Sequence, residues 1–203
     1  MSRPRTIADG DILLGAGRVI SRVGPTRFTL ADVGKAVGLS PGALVKRFGS
    51  RRGLLLALSR HSSESVDACF VAIRSANSDP FDAIVAAALE MTRYVETPAE
   101  VANHLAFFQI DLSDPDFYAL MRDSHTRIED GYRALLREAV AAGDLIKCDT
   151  ARLARAVSAM ATGSLLGWAV GRRGSAESWV RRDLMTLLNR YRQNSAMSPR
   201  QRR

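Results

Sequence analysis

Cysteine is scarce in this chain of 203 residues, which contains only Cys69 and Cys148. Two thiols do not make the disulfide framework of a small secreted domain. The first residues, MSRPRTIADGD, also lack the apolar core of a signal peptide. We therefore expect a cytoplasmic protein in which both thiols are reduced and buried.

Long hydrophobic runs are missing as well. The longest, Ala156 to Val170, has 15 residues, which is shorter than the roughly 18–20 that a membrane-spanning helix needs. It also contains Ser158, Thr162 and Ser164. We expect a buried helix here and no membrane partner, since a hydrophobic content of 46% suffices for an ordinary core.

Patterns that would indicate catalysis or metal binding are not found. The three histidines lie far apart in sequence, and no Gly-x-Ser-x-Gly nucleophile motif occurs. Asp111, Asp114 and Asp116 resemble a cation-binding loop only superficially, because the glycine and closing glutamate of such a loop are missing. Helix capping is the better interpretation of these aspartates. We expect no enzymatic activity, metal or cofactor.

Positive charge is concentrated at one end of the chain. Residues 1–60 contain eleven arginines and lysines against three aspartates, a net charge of +8 that equals the charge of the whole chain. Basic and acidic residues balance in residues 61–203. A compact basic module beside a neutral body suggests a polyanionic partner for the module alone; a solvated basic surface is the alternative.

Helical periodicity dominates, and we find neither a convincing strand nor an internal repeat. The sequence predicts an all-α fold of about nine helices, of which three are short and N-terminal. Turn signals at Gly24-Pro25, Ser78-Asp79-Pro80, Thr97-Pro98 and Gly143 separate them. The later helices are predicted at about 81–95, 99–110, 116–142, 150–171 and 176–192, followed by a disordered basic tail at 196–203.

Residues 29–48, TLADVGKAVGLSPGALVKRF, meet the requirements of a helix-turn-helix. Thr29 and Asp32 have the spacing of a capping box for a first short helix. Gly34 would allow the two helices to cross closely, and Gly38 suits a left-handed turn residue. Ser40 then supplies the second cap.

The second helix would begin at Pro41, a favoured first position. The predicted inward positions are Val33, Val37, Leu39, Leu44 and Phe48.

Two alternatives to a helix-turn-helix are a phosphate-binding loop and a helical hairpin without function. The phosphate loop fails because Gly34-Lys35 is followed by Ala36, not Ser or Thr, and no strand precedes it.

The segment FTLADVGKAVGLSPGALVKRFGSRRGLL, residues 28–55, resembles the N-terminal domain of the TetR family of bacterial transcriptional repressors. The resemblance implies a three-helix DNA-binding domain at 6–66, with the helix-turn-helix at 29–48. It also implies an all-α ligand-binding and dimerisation domain at 67–195, whose last two helices form a homodimer.

The resemblance further implies which residues approach DNA. Val45 stands where the family usually has tyrosine, Arg47 where it often has histidine or tyrosine, and Arg51 where lysine is usual. Lys46 could contact either a guanine or a phosphate. The expected DNA-binding residues are Arg27, Thr29, Ser40, Pro41, Gly42, Ala43, Val45, Lys46, Arg47 and Arg51.

An effector pocket enclosed by the middle helices is also implied, for an apolar or aromatic small molecule. The candidate lining residues are Phe70, Met91, Tyr94, His104, Phe107, Phe108, His125 and Trp168; ordinary core packing is the alternative for each. The expected dimer-interface residues are Val157, Gly163, Gly167, Gly171, Leu184, Leu188 and Tyr191.

These expectations describe a homodimeric repressor that leaves a palindromic double-stranded operator when a small molecule binds. Two alternatives remain open from the sequence. One is a small-molecule-binding or catalytic helical protein without specific DNA binding. The other is a nonspecific, architectural DNA binder.

Overall fold

A computed structural model describes residues 7–193 and confirms the all-α fold. The predicted tail at 196–203 lies outside the described residues. Within them the chain forms nine helices: α1 (Asp9–Val23), α2 (Leu30–Val37), α3 (Pro41–Phe48), α4 (Arg51–Ala76), α5 (Pro80–Glu90), α6 (Pro98–Ser113), α7 (Pro115–Ala142), α8 (Thr150–Gly171) and α9 (Ala176–Leu188).

The helices form two compact units. The first unit comprises the described residues up to 67, residues 94–127 and residues 169–172. The second comprises residues 68–93, residues 128–168 and the described residues from 173 onward. Each unit has its own set of buried apolar side chains, as domains of this size require.

The core of the first unit is built around α1. One face of this helix is buried, and the short helices α2 and α3 add the fully buried side chains of Val33 and Leu44. The buried residues of this core are Ile12, Leu13, Ala16, Val19, Ile20, Phe28, Val33, Leu44, Leu54, Leu55 and Phe117.

Helix α6 is attached to the end of α1 by side-chain hydrogen bonds. The amide Nδ2 of Asn103 donates to the carbonyl oxygens of Ser21 at 2.7 Å and Arg22 at 3.0 Å. The hydroxyl Oγ of Ser21 lies 3.2 Å from Nε2 of His104. The two bonds from Asn103 satisfy carbonyl groups that the last turn of α1 leaves without helical partners.

The second unit buries the apolar sides of α5, α8 and α9. Helix α5 is buried on most sides, as its sequence predicts, but it ends at Glu90 and not near Val95. The buried apolar side chains include Phe81, Ile84, Val85, Ala88, Leu136, Leu153, Val157, Ala161, Leu165, Val180, Leu184 and Leu188.

The last helix is also shorter than predicted, ending at Leu188 instead of 192. The backbone beyond it binds the segment that follows α7. The amide of Ile146 donates to the carbonyl of Tyr191 at 2.8 Å. The amide of Gln193 donates to the carbonyl of Asp144 at 3.0 Å. These long-range bonds replace helical ones, and hydrophobic periodicity does not predict them.

Helix α8 is long and apolar enough to cross a membrane, judged by length and composition alone. A core helix passes the same test, and seven side chains of α8 are buried within the protein. The predicted burial is therefore observed on one side of α8.

Both cysteines are free and half-buried, so the prediction of full burial was wrong. Loss of hydration raises the pKa of each thiol. Both therefore favour the protonated, less nucleophilic form.

The crossing of α2 and α3 depends on the absence of a side chain at Gly34. A Cβ atom there would overlap the carbonyl oxygen of Leu39. We expect Gly34→Ala to lower the free energy of unfolding by roughly 1–3 kcal/mol, the usual range for overpacking. This loss would exceed the gain in helix propensity, which is about 1 kcal/mol. Thermal denaturation followed by circular dichroism measures the change.

Gly42→Ala provides the matched control. A Cβ at residue 42 would come no closer than 4.0 Å to Oγ of Ser40, so the same substitution should be neutral or slightly stabilising. Equal melting temperatures for the two variants would contradict the steric role of Gly34.

Candidate DNA-binding site

The turn of the helix-turn-helix is held by the caps that the sequence predicts. The amide of Thr29 donates to Oδ2 of Asp32 at 2.8 Å, and the amide of Asp32 donates back to Oγ1 of Thr29 at 3.1 Å. The hydrogen bonds from Thr29 lower the pKa of Asp32. Gly38 has φ 73° and ψ 30°, the left-handed conformation expected of it.

The second helix of the motif begins in the predicted way. Oγ of Ser40 accepts a hydrogen bond from the amide of Ala43 at 3.1 Å, and Pro41 occupies the first turn. Leu44 is fully buried against the first-unit core. This anchor fixes which side of α3 faces outward.

The outward side of α3 carries the predicted contact residues. Pro41, Gly42, Lys46 and Arg47 are exposed, and Ala43 is half-buried. Val45 is 47% exposed, which is unusual for a large apolar side chain on a short basic helix. The face combines small, apolar and basic groups on a helix of the length that enters a DNA major groove.

Arg47, on this face, has an acidic partner within the chain. Its guanidinium forms an ion pair with Asp9, in the first turn of α1. Both side chains are accessible to solvent, so the pair is screened and weak. The positive charge of Arg47 is therefore partly compensated by Asp9.

Arg51, one of the expected DNA-binding residues, makes several contacts within the chain. Its Nε donates to the carbonyl of Phe28 at 3.0 Å, and its terminal nitrogen donates to the carbonyl of Pro25. The guanidinium also lies 4.5 Å from the centre of the Phe28 ring. Arg51 is thus bound to the loop between α1 and α2.

The other predicted DNA-binding residues in this region lie at the surface. Thr29 and Arg27 are exposed, and Nε of Arg27 donates to the carbonyl of Val23 at 2.9 Å. The terminal guanidinium nitrogens of Arg27 have no hydrogen bond to the residues that the structure describes, so they can bind a further partner.

Arg52 forms a clamp that was missed from the sequence. Its terminal nitrogen lies 2.8 Å from a carboxylate oxygen of Asp114 and 2.8 Å from one of Asp116. The bond from Arg52 lowers the pKa of Asp114. Because these partners are more than sixty residues away, no local sequence pattern indicates the clamp.

A cavity of about 400 Å³ lies inside the first unit, between α1, α4, α6 and α7. Three of the predicted pocket residues, Tyr94, His104 and Phe107, line it. The other lining residues are Leu13, Leu14, Gly17, Arg18, Ile20, Ser21, Leu58, Ser59, His61, Ser62, Asn103, Asp111, Leu120, Met121 and Ser124.

The five remaining pocket candidates do not line this cavity. Phe108 is 49% exposed and His125 is also exposed. In the second unit, Phe70 packs edge-on against Tyr132, and Nε1 of the buried Trp168 donates to the carbonyl of Gly174 at 3.0 Å. Met91 is half-buried in the turn after α5. Core packing accounts for Phe70 and Trp168.

Asp111 was expected to cap a helix, but it lines the cavity instead. Asp114 performs the capping, because its Oδ1 accepts a hydrogen bond from the amide of Asp116 at 3.0 Å. Loss of hydration raises the pKa of Asp111 to about 6, and that of His104 is lowered for the same reason. His104, Phe107 and Asp111 share one side of α6 by their spacing of three and four residues, a signal that could have placed Asp111.

The expected dimer residues fall into two groups. Val157, Leu184 and Leu188 are fully buried inside the chain, which leaves them no surface for a partner; their apolar character serves the core. The exposed or half-buried members are Gly163, Gly167, Gly171 and Tyr191. Gly167 packs against the Trp179 ring, whereas a Cβ at Gly163 would meet no atom within 4 Å.

The position of Arg51 yields a test. Arg51→Lys keeps the positive charge but cannot reproduce the paired carbonyl bonds and the ring contact. We expect a loss of about 1–2 kcal/mol in the free energy of unfolding, as for hydrogen bonds to a charged group. Urea denaturation measures it, with Arg60→Lys, an exposed position on α4, as the control. Unchanged stability would mean that Arg51 has no structural role.

Two family models match the chain. The model of the bacterial regulatory proteins of the tetR family matches residues 12–58. The model of the C-terminal domain of BetI-type transcriptional repressors matches residues 79–190, more than half of the chain. No curated protein is significantly similar in sequence.

Solved structures share the fold at low sequence identity. A TetR transcriptional regulator from Streptomyces coelicolor is 22% identical, with 93% of this chain and 100% of that chain covered and a TM-score of 0.70. A transcriptional regulator from Saccharomonospora viridis, solved with choline, is 22% identical over 89% and 95% of the two chains, with a TM-score of 0.70.

A third structure, FadR from Bacillus subtilis with stearoyl-CoA, is 11% identical over 88% of this chain and 96% of that chain, with a TM-score of 0.62. The family models thus agree with the capped helix-turn-helix, its exposed basic helix and the helical body. The chain belongs to the TetR family of bacterial regulatory proteins and is a ligand-responsive, DNA-binding transcriptional regulator.

Proposed function

We propose that this regulator is a homodimeric repressor that binds a palindromic operator and leaves it when a small molecule binds. The observation that carries the proposal is the outward face of α3, held in place by the Ser40 cap, the Gly38 turn and the buried Leu44. Paired in a dimer, two such helices would reach half-sites about one DNA turn apart, roughly 34–36 Å.

Contacts to phosphate would supply most of the affinity. The net charge of the first 60 residues is +8, and phosphate contacts position a protein without demanding one side-chain type. Gly42 and Ala43 have no polar side-chain atoms, so direct base reading by α3 would rest mainly on Lys46. Val45 offers apolar contact, for example with a thymine methyl group.

A dimer through α8 and α9 is supported by the exposed side of α8. Ala159, Thr162 and Gly163 are exposed there, and none has a long side chain. Small residues allow two helices to approach closely, and a symmetric pair of such surfaces would suit a two-fold axis. In the interface that we propose, Ala159, Thr162 and Gly163 take the place of Val157, which is buried.

Release by a ligand is supported by the attachment of α6 to α1. The amide of Asn103 binds two carbonyl groups at the end of α1, and the cavity lies between these same helices. A ligand that prefers a different separation of α1 and α6 would shift the population away from the DNA-binding form.

The ligands of the related structures differ too much to indicate one effector for this protein. One of them holds choline and another stearoyl-CoA, which differ in size and in charge.

We further propose that the protein works in the cytoplasm by binding alone, without catalysing a reaction, since the family models that match it describe transcriptional regulators.

Operator binding and the role of Lys46 can be tested together. An operator is selected from a random DNA pool, and its affinity is measured by gel shift over a series of salt concentrations. We expect Lys46→Gln to weaken binding. If Lys46 contacts phosphate, the slope of log affinity against log salt should fall by about one per subunit.

Lys147→Gln is the control, because Lys147 is an exposed lysine outside the helix-turn-helix. It should leave both affinity and slope unchanged. Equal binding to the selected operator and to scrambled DNA would contradict the repressor proposal and favour a nonspecific architectural role.

The dimer surface is tested at Gly163. A Cβ at Gly163 would meet no atom of the described residues within 4 Å, so the side chain of Gly163→Arg would leave the helix into open space, where a partner subunit would meet it. We expect a shift from dimer to monomer in analytical ultracentrifugation, with at least a tenfold weaker operator affinity. Ala141→Arg, at an exposed position of α7, should remain dimeric; an unchanged dimer in both variants would place the interface elsewhere.

A further inference from the structure

The wall of the cavity in the first unit is mostly apolar, and the described residues that line it include a single carboxylate. Apolar side chains come from four helices, namely Leu13 and Leu14 of α1, Leu58 of α4, Phe107 of α6, and Leu120 and Met121 of α7. Asp111 is the one acidic residue among the lining groups. At about 400 Å³, the space is within the usual range for a small organic ligand.

Asp111 has no hydrogen bond or ion pair among the residues that the structure describes, and the cavity wall half buries it. A carboxylate that loses water without gaining a partner is destabilised in its charged form. Its raised pKa is the expected sign of this situation. A cation placed beside Asp111 would restore the lost stabilisation.

A second polar group in the cavity is also unsatisfied. Oγ of Ser59, on α4, is buried and has no hydrogen-bond partner in the described part of the chain. It can both donate and accept, so it could bind a polar group of a ligand. Among the described residues, the cavity thus offers an anionic contact at Asp111 and, among its hydroxyl groups, a buried one at Ser59 that has no partner, beside an apolar wall.

The other charged and titratable groups facing the cavity do not neutralise Asp111. Arg18 of α1 is exposed, and its guanidinium lies 5.9 Å from the centre of the Tyr94 ring. His104 of α6 is 3.2 Å from Oγ of Ser21, its pKa is lowered, and Glu100 acts on it electrostatically. His61 of α4 also lines the cavity, while α7 contributes no charged lining residue.

We propose that this cavity between α1, α4, α6 and α7 is an effector site for an organic amine, with the protonated nitrogen beside Asp111 and the apolar body against Leu14, Phe107 and Met121. The inference deepens the proposed ligand-released repression and rests on it for its regulatory meaning. Because α1 belongs to the DNA-binding region, such a ligand would contact that region directly.

Three probe molecules that share a phenylbutyl group and differ in charge test the site. 4-Phenylbutylamine is cationic near neutral pH, 4-phenylbutanol is neutral and 4-phenylbutyrate is anionic. Calorimetry on the DNA-free, full-length protein at pH 7.5 should show the amine binding at least tenfold more tightly than the other two. Equal affinities, tighter binding of the acid, or no binding of the amine would overturn the proposal.

Two variants separate the charge from the cavity. Asp111→Asn should remove the advantage of the amine over the alcohol, whereas Asp130→Asn, at an exposed position of α7, should retain it. Gly17→Leu, which would project from α1 into the cavity beside Leu58, should weaken the amine and the alcohol alike. A full amine preference in Asp111→Asn would overturn the assignment to Asp111.

The pH dependence gives an independent readout. Since the pKa of Asp111 is raised to about 6, amine affinity should be fully present above that pH and fall by up to tenfold per pH unit below it. Protonation of His104 would act in the same direction, so any dependence left in Asp111→Asn belongs to groups other than Asp111. An unchanged profile in that variant would overturn the proposal.

Failure of the effector site and failure of repression can be told apart. The calorimetric measurements need no DNA, so their failure would leave operator binding unaffected. A gel shift on the selected operator tests the regulatory role, and added amine should release the DNA from the wild type but not from Asp111→Asn. An operator complex that amine-saturated wild type retains would overturn the effector role.

Discussion

The close approach of α2 to the carbonyl group of Leu39 is the contact on which the DNA-binding surface depends. It is possible only because residue 34 has no side chain, and the left-handed Gly38 then directs the chain into α3. With the crossing fixed, Leu44 reaches the core and the basic side of α3 is left at the surface. The chemistry offered to DNA therefore follows from a steric constraint inside the protein.

Features that depend on neighbouring residues could be predicted from the sequence. The caps at Thr29 and Ser40 and the turn at Gly38 involve contacts within four residues, so residue type and spacing identify them. Features that depend on distant residues could not. The carbonyl partners of Arg51 and the position of Asp111 in a cavity wall require knowledge of which helices meet. Hydrophobicity alone was ambiguous for Val157, because a core and a dimer interface both select apolar side chains.

Helix α6 contacts both the end of α1, in the DNA-binding region, and the proposed effector site. Asn103 binds the end of α1, and Asp111, two turns further along the same helix, lines the cavity. A helix transmits displacement along its length with little deformation, since its backbone hydrogen bonds resist bending. A change at Asp111 would therefore reach α1 through a single rigid element, without rearrangement of intervening loops.

The ion pair between Asp9 and Arg47 has a consequence for how the protein searches a chromosome. Every basic group on α3 lengthens the time spent on the vast excess of unrelated DNA, because phosphate attraction is blind to sequence. In the proposed operator complex, Asp9 would partly cancel the charge of Arg47 until a phosphate displaced it. A site at which α3 fits the groove closely can displace Asp9, whereas a loosely bound site gains less from doing so. The pair would thus shorten unproductive stops and speed arrival at the operator.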